Sequence, residues 1–514
     1  MVEAQQESAK ARYDTLAKDR WQFLQRGRAN AMLTIPSLMP LEGHDGKAHL
    51  IEPYQGLGSA GTVSLTSRLA LALIPAGRPH LRLDVDNKIL MELDGEIPVK
   101  VNQQLSKSEK LIQNAVEKAN WRSATLGTVA QLIVCGSATE FMFEDGTIRT
   151  FRLDQFVWSR DHRGRVVECI ILERFNKNAL PAAMRGKTEL GTTNTEGSTK
   201  DDEVELFTVI RFKVEDGTYE VHKEDGAGLK VGKTEVFEEK KLPYLFLRWS
   251  EMPGEDYGRS KVEEVIADLR SLDGLEKGSI EQGAMASKNF IMVRPGANAA
   301  GLRNRITRVN NGDVVLGDPE SVELKQFASP GGYQITGDQI ERIGARVARA
   351  FLLQTPTQRN AERVTATEIE RDIQELESTL GGTFSVLSLE MMERRTLLLM
   401  DFMKKRGEFP QTEDGALNIT ILTGLEALSR ERDIARGQQM AQIASLFGEQ
   451  GIRRLNLGNI LGKVAVGLGF PDAIRDEEEV QAEIQQEQQA EQLKAAAPNA
   501  VKALTEGGAS GGGG

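Results

Sequence analysis

The sequence has few of the features that mark disulfide-rich, zinc-binding or membrane proteins. Cysteine occurs twice in 514 residues, as Cys135 and Cys169, and both lie in apolar runs. Two thiols supply neither a disulfide framework nor a zinc site, so we expect both to pack in a core. No apolar run reaches the ~18 residues of a membrane span, and the start MVEAQQESAKARYD lacks the apolar segment of a signal peptide. The sequence therefore predicts a soluble protein made in a cytoplasm, with no membrane partner.

Histidine is also scarce, which argues against a metal site. None of the histidines stands beside a cluster of cysteine or carboxylate residues at metal-ligand spacing. The five are His44, His49, His80, His162 and His222. We therefore expect no bound metal, and we expect these histidines to occupy surface or turn positions.

Acidic residues outnumber basic ones, and this limits how tightly the protein can bind nucleic acid. The chain has 64 lysines and arginines against 75 acidic residues, a net charge of -11. Proteins that grip DNA neutralise its phosphates with lysine and arginine, and they are normally basic. Tight DNA binding is therefore disfavoured, whereas a surface past which DNA slides freely is compatible with this charge.

The strand pattern places β structure in the first half of the chain. Apolar and polar residues alternate on both sides of short glycine-containing turns, which predicts hairpins. The turns are expected at 145–146, 163–164 and 216–217. A shorter alternating run, HLRLDV, predicts a strand with Leu81, Leu83 and Val85 on one face.

Helical spacing dominates elsewhere, so the fold class predicted is α+β, mainly α. A first helix in YDTLAKDRWQFLQRGRANAML should end before TIPSLMP, and SEKLIQNAVEKANWRSATLGTVAQLIVCG forms a second helical region. Two S/T-x-x-E capping boxes predict helix starts, one at Ser260 with Glu263 and one at Thr365 with Glu368. The later of these helices would continue to Lys404.

The segment GLGSAG, which begins at Gly56, raises the alternative of a nucleotide-dependent enzyme. Its glycines have the G-x-G-x-x-G spacing of a dinucleotide-binding turn, and Asp84 lies roughly twenty residues past them, where a ribose-binding acid is expected. In a dinucleotide-binding fold a buried parallel strand comes directly before the glycines, but here Pro53 interrupts the preceding segment. No repeated βαβ pattern follows. We therefore interpret GLGSAG as a flexible lead-in to a helix, with Gly56, Gly58 and Gly61 serving turn geometry.

A second glycine-rich segment, GLKVGKT, resembles the end of a phosphate-binding loop. Its first glycine, Gly228, is one residue too close to the lysine, and a strand-like run follows where a helix is required. A hairpin turn with an exposed Lys233 fits better. Because catalytic triads and nucleophile elbows are also missing from the sequence, we predict no catalytic residue, no cofactor and no enzymatic activity.

Five collinear stretches resemble the head-to-tail connector, or portal, proteins of short-tailed bacteriophages of the autographivirus type. They are YDTLAKDRW with TIPSLMP, SRLALALIP, YGRSKVEEVIADLRSL, QRNAERVTATEIERDIQELESTLGGTFSVLS and TGLEALSRERD. They occur in the family's order and span nearly the whole chain.

The resemblance implies a ring of twelve copies at one capsid vertex, through which a packaging motor drives DNA in and later lets it out into the tail. The implied partners are the capsid protein, the terminase motor, tail adaptor and tail tube proteins, and double-stranded DNA that passes without sequence preference. The implied location is the virion, with assembly in the host cytoplasm. A helical scaffold that organises partners without a channel is the remaining alternative.

The resemblance also implies a portal fold with wing, helical stem, β-rich clip and helical crown. The expected parts are an N-terminal helix and α/β wing at 1–259, a first stem helix at 260–289, a clip at 290–330, a second stem helix at 331–353, a channel loop at 354–364, a long wing helix and wing return at 365–429, a crown at 430–496 and a disordered tail at 497–514. Small residues on the first stem helix, such as Gly274 and Gly278, would allow close packing of helices in a ring or would make the helix flexible.

The same resemblance assigns candidate site residues. Arg359 and Arg363 lie in QTPTQRNAERV, the expected channel loop, where a ring would repeat them as a belt around passing DNA. The alternative for Arg363 is an ion pair with Glu362 or Glu368 at the helix start. The arginines expected to contact motor or tail in the clip are Arg303, Arg305 and Arg308.

Overall fold

The structure is a computed structural model, and it falls into two compact units. It describes residues 8–44, 49–75, 80–85, 99–176, 203–286, 290–293, 322–325, 330–353, 379–380, 382, 387–410 and 417–421. The first unit comprises Met1–Ala70, Arg122–Met142 and Ile148–Arg363, and the second comprises Leu71–Trp121, Phe143–Thr147 and Val364–Gly514.

The described parts of the chain contain seven α-helices and twelve strands. The helices are α1 (Ala9–Met32), α2 (Leu57–Leu73), α3 (Val99–Lys118), α4 (Trp121–Cys135), α5 (Ile266–Ala286), α6 (Pro330–Ala350) and α7 (Arg394–Lys405). The strands are β1 (Leu81–Val85), β2 (Ser137–Met142), β3 (Ile148–Phe151), β4 (Phe156–Arg160), β5 (Val166–Asn176), β6 (Glu203–Lys213), β7 (Thr218–Asp225), β8 (Lys230–Glu238), β9 (Tyr244–Arg248), β10 (Phe290–Val293), β11 (Val322–Lys325) and β12 (Leu417–Ile421). Strands β2 to β9 are consecutive between α4 and α5. The α+β class predicted from the sequence is confirmed.

A five-stranded antiparallel sheet forms the main β structure of the first unit. Its strands follow chain order, β4-β5-β6-β7-β8. Helix α1 covers one face of this sheet, because Tyr13 and Leu16 pack in a buried cluster with Val157, Ile170 and Phe207. A smaller sheet, β3-β2-β9, belongs to the same unit.

Charged groups fix α1 on the sheet. Arg12 Nε lies 2.8 Å from one carboxylate oxygen of Glu168, and Arg211 Nη2 lies 2.7 Å from the other. Burial raises the pKa of Glu168, but the hydrogen bonds from Arg211 and Arg12 outweigh it and hold this pKa below its usual value. At the start of α1, the amide of Ala9 donates to Glu224 Oε2 at 2.7 Å, where the helix dipole favours a negative charge.

The second unit contains a smaller set of elements. Strands β1 and β12 pair antiparallel, with Leu81 opposite Ile421, and helix α3 packs against β1. Trp121 is fully buried, and its Nε1 donates to the carbonyl oxygen of Gly146 at 2.8 Å. A π-helical segment, Leu387–Glu393, continues into α7.

The predicted hairpins are confirmed. Gly146, Gly164 and Gly217 have φ values of +87°, +79° and +66°, in the left-handed region that these turns require. The helical region before the first hairpin is divided into α3 and α4, because Asn120 between them has φ +53°. Asparagine tolerates this conformation better than most residues.

The helix starts differ from the prediction in detail. The capping box at Ser260 is confirmed, since the amide of Glu263 donates to Ser260 Oγ at 3.2 Å and the amide of Ser260 donates to Glu263 Oε1 at 3.4 Å. It opens a 3-10 turn, Val262–Glu264, and α5 begins at Ile266. The capping box at Thr365 lies outside the described residues. Among the helices that are described, none is long and apolar enough to cross a membrane.

The prediction for the histidines is wrong in two cases. His80 and His222 are buried, with 2% and 6% of their surface exposed. Burial lowers the pKa of His80 to about 4, so this side chain is neutral at pH 7. Both cysteines are buried as predicted, and burial raises the pKa of both thiols, which makes them poor nucleophiles.

Candidate functional site

Helices α5 and α6 of the first unit form an antiparallel hairpin. Asp268, near the start of α5, accepts a hydrogen bond at 2.5 Å from Arg346, near the end of α6. Beyond the opposite ends of the two helices, β10 and β11 pair antiparallel, with Phe290 opposite Lys325. The hairpin therefore has a base, where α5 begins and α6 ends, and a far half that leads into a two-stranded ribbon.

Burial is divided sharply along this hairpin. At the base, Leu269, Leu272 and Val347 are fully buried. In the far half, Ile280 is 56% exposed and Ile335 is 66% exposed. The base of the hairpin is therefore packed within the first unit, whereas its far half presents two large apolar side chains at the surface.

The glycines of α5 have free space around them. Within the described part of the chain, an ideal Cβ at Gly274, Gly278 or Gly283 meets no atom within 4 Å. These glycines therefore provide no close approach inside a single chain. The two interpretations from the sequence, close packing in a ring and helix flexibility, both remain compatible with this observation.

Helix α6 also carries a basic stripe that sequence reasoning missed. Arg342, Arg346 and Arg349 follow one another at helical spacing, and all three are exposed. The spacing alone could have revealed the stripe. Guanidinium groups bind carboxylate in a defined geometry, and Arg346 makes such a bond with Asp268 of α5.

The segment before α2 anchors the base of the hairpin. Asp273 Oδ1 on α5 accepts hydrogen bonds from the amides of Tyr54, at 2.6 Å, and Gln55, at 3.2 Å. The Gln55 side chain accepts from the amide of Gly58 at 2.8 Å and donates to the carbonyl of Leu33 at 2.6 Å. Burial, and then the nearby charge of Asp273, raise the pKa of Glu276.

The GLGSAG segment has a packing role. Helix α2 begins at Leu57, and no strand precedes it within 49–56. An ideal Cβ on Gly58 would lie 2.2 Å from the Leu33 carbonyl oxygen, and one on Gly61 would lie 2.6 Å from Phe351. The interpretation as turn geometry is therefore wrong for Gly58 and Gly61, which are helical and allow α2 to touch its neighbours. The space beside these two glycines is occupied by Leu33 and Phe351.

The other features considered for nucleotide binding are parts of β structure. Gly228, with φ +83°, lies in the turn between β7 and β8, as predicted, and Gly232 to Thr234 lie at an irregularity in β8. Asp84 lies in β1 and pairs with Arg82 at 2.9 Å. No group of three or more His, Cys, Asp or Glu side chains suited to a metal occurs in the described ranges.

The site residues assigned from the resemblance lie outside the described residues. Arg303, Arg305 and Arg308 fall in sequence between β10 and β11, and Arg359 and Arg363 follow α6. Their roles stay predictions. The structure does describe β10 and β11, which lie on either side of the first segment in the sequence, and α6, which precedes the second.

The geometry of the described residues does not by itself assign a function to the hairpin. Comparison with known families identifies the protein family. The sequence profile of the bacteriophage head to tail connecting proteins matches residues 6–475, and the chain belongs to this family. Its function is that of a portal, the connector between phage head and tail.

Individual relatives agree with this assignment. The portal protein of Enterobacteria phage T3 is 31% identical over 90% of this chain and 87% of its own length. The portal protein of Escherichia phage T7 is 30% identical over 98% of this chain and 94% of its own, and that of Pseudomonas phage phiKMV is 26% identical over 92% and 93%. The resemblance seen in the sequence is confirmed.

Solved structures resemble the chain more distantly. A chain from the neck of an empty gene transfer agent particle, computed with C6 symmetry, matches with a TM-score of 0.37 and 11% identity. The match covers 75% of this chain and 86% of the neck chain. A virion of a native gene transfer agent particle has a TM-score of 0.36 and 12% identity, covering 80% and 89%.

Proposed function

We propose that twelve copies of this chain form a closed ring around a channel for double-stranded DNA. In this arrangement α5 and α6 are the stem helices, β10 and β11 belong to the clip, and the region up to residue 259 is the wing. The observation that carries the proposal is the exposed far half of the α5–α6 hairpin, with Ile280 and Ile335 uncovered in the single chain. In a ring, copies of the same hairpin would cover each other's far halves.

The charge of the chain suits passage of DNA. Strong attraction to phosphate would slow a moving duplex, and a net charge of -11 opposes such attraction. Arginines at a few positions would then contact DNA or partner proteins locally. We assign Arg359 and Arg363 to a belt in the channel, and Arg303, Arg305 and Arg308 to contacts with the motor or tail.

The partners follow from the connector role. The ring would sit at one vertex of the capsid as a component of the virion, dock the terminase motor during packaging, and later bind the tail adaptor and tail tube proteins. Assembly would take place in the host cytoplasm. The protein would act as a structural part and carry out no catalysis of its own, since DNA movement is driven by the motor.

The belt is tested by the double variant Arg359→Ala with Arg363→Ala. We expect normal rings but filled heads that lose DNA, because the positive charge repeated around the channel no longer holds the phosphates. Ring assembly is measured by electron microscopy, and DNA retention by nuclease sensitivity of the genome in filled heads.

A matched control removes the same charge elsewhere. Arg163→Ala with Arg174→Ala takes away two exposed arginines, one in the β4–β5 turn and one in β5, and heads built with it should retain DNA. Normal retention by the Arg359 and Arg363 variant would refute the belt. Failed ring assembly would instead favour the structural alternative, in which Arg363 pairs with Glu362 or Glu368.

A further inference from the structure

The C-terminal end of α6 adopts a turn that normally requires glycine. The amide of Leu353 donates to the carbonyl of Ala348 at 2.8 Å, and the amide of Leu352 donates to that of Arg349 at 3.0 Å. These two bonds define the helix ending known as a Schellman motif, whose key residue is left-handed. Here that residue is Leu352, with φ +54°, and a left-handed conformation costs an L-residue about 1–2 kcal/mol. The turn therefore needs support from outside the helix.

Helix α2 provides two contacts that support this turn. The Arg68 side chain donates from Nη1 to the carbonyl oxygen of Leu352 at 2.6 Å. Phe351, the residue just before, is fully buried, and its ring lies against the backbone of α2 at Gly61. A methyl group at Gly61 would approach Phe351 to 2.6 Å, so this contact exists because residue 61 lacks a side chain. Both contacts come from the same face of α2, since residues 61 and 68 are two helical turns apart.

We propose that Arg68 is a positioning residue that holds the strained turn at Leu352 and so fixes the direction in which the chain leaves α6. The chain next enters 354–364, the segment that carries Arg359 and Arg363. This inference rests on the proposed function, because it makes DNA retention by those arginines depend on a residue of α2. Arg68 acts through Leu352 and is not assigned any contact with DNA.

The geometry explains why the support matters. Without the Arg68 hydrogen bond, the left-handed turn loses its compensating interaction while its conformational cost remains. An extended helix is then a competing way to continue past Ala350, because leucine at 352 and 353 is a good helix former. The chain would leave α6 in more than one direction, and the DNA retention that the proposed function assigns to the arginines next in sequence would weaken.

The test uses the full chain and compares Arg68→Ala with the double variant Arg68→Ala plus Leu352→Gly. We expect hydrogen exchange at the amides of Leu352 and Leu353 to rise about fivefold in Arg68→Ala, the effect of one lost hydrogen bond. Heads built with this variant should lose DNA. Glycine at 352 removes the cost of the left-handed turn, so the double variant should return both exchange and DNA retention towards the original values.

The control replaces an arginine that makes a similar bond in the second unit. Arg406 donates to the carbonyl oxygen of Glu144, and Arg406→Ala should leave exchange at Leu352 and DNA retention unchanged. A further variant, Leu352→Gly alone, keeps Arg68 in place and should slow exchange at this turn. It keeps the inference testable if Arg68→Ala does not fold.

Several results would overturn the inference. Unchanged exchange in Arg68→Ala would show that Arg68 does not hold the turn, and faster exchange with full DNA retention would show that the turn does not position the arginines. Leaky heads that Leu352→Gly does not rescue would mean that Arg68 acts by another route. If the Arg359 and Arg363 variant retains DNA, the belt fails, but the exchange experiment still decides whether Arg68 supports Leu352.

Discussion

The double variant Ile280→Asp with Ile335→Asp is expected to stay monomeric at concentrations where the original chain assembles. Both isoleucines lie in the far half of the α5–α6 hairpin and are more than half exposed in the single chain. If copies cover this surface, each aspartate is buried without a partner in every subunit contact of the ring. Association between subunits should weaken about 100-fold or more. Size-exclusion chromatography with light scattering gives the mass directly.

Val214→Asp is the matched control for this experiment. Val214 is 79% exposed and lies in the β6–β7 turn, which is not part of the α5–α6 hairpin. The same change of chemistry there should leave assembly intact. If the Ile280 and Ile335 variant still assembles as well as this control, the far half of the hairpin is not a subunit interface.

Replacing Gly58 by alanine is expected to destabilise the first unit by about 3 kcal/mol. The added methyl group would lie 2.2 Å from the carbonyl oxygen of Leu33, and a backbone atom cannot move aside as the end of a side chain can. Alanine gains at most ~1 kcal/mol in helix propensity over glycine, which does not offset such a clash. Urea unfolding followed by tryptophan fluorescence, to which the buried Trp158 and Trp249 of the first unit contribute, measures the loss.

Gly56 offers a control two residues away. Its ideal Cβ meets no atom within 4 Å, so Gly56→Ala should change the stability by less than about 0.5 kcal/mol. Equal stability for the two variants would contradict the packing role of Gly58. A large loss for both would return the segment to the turn interpretation.

Local sequence signals predicted those features that depend on neighbouring residues. The hairpin turns at Gly146, Gly164 and Gly217 need a left-handed glycine, and that requirement is visible in the sequence. The capping box of Ser260 and Glu263 was readable for the same reason, because both partners lie within one helical turn.

Features that depend on distant contacts could not be predicted in this way. The spacing of GLGSAG shows that residue 61 lacks a side chain, but it does not show that Phe351 occupies the space. The burial of His80 and His222 likewise depends on packing that a polar residue type does not reveal. Leu352 gave no signal at all, since leucine is an unusual residue for a left-handed helix end. The predicted function came from the collinear resemblance and not from any chemical motif.

Native mass spectrometry of the purified full chain tests the central claim most directly. The claim is that the chain functions as a closed ring whose subunits complete each other's exposed hairpins. It predicts a single dominant species with a mass about twelve times the 56.6 kDa of one chain. Monomers alone at micromolar concentration, or a continuous series of masses without a closed species, would contradict the claim.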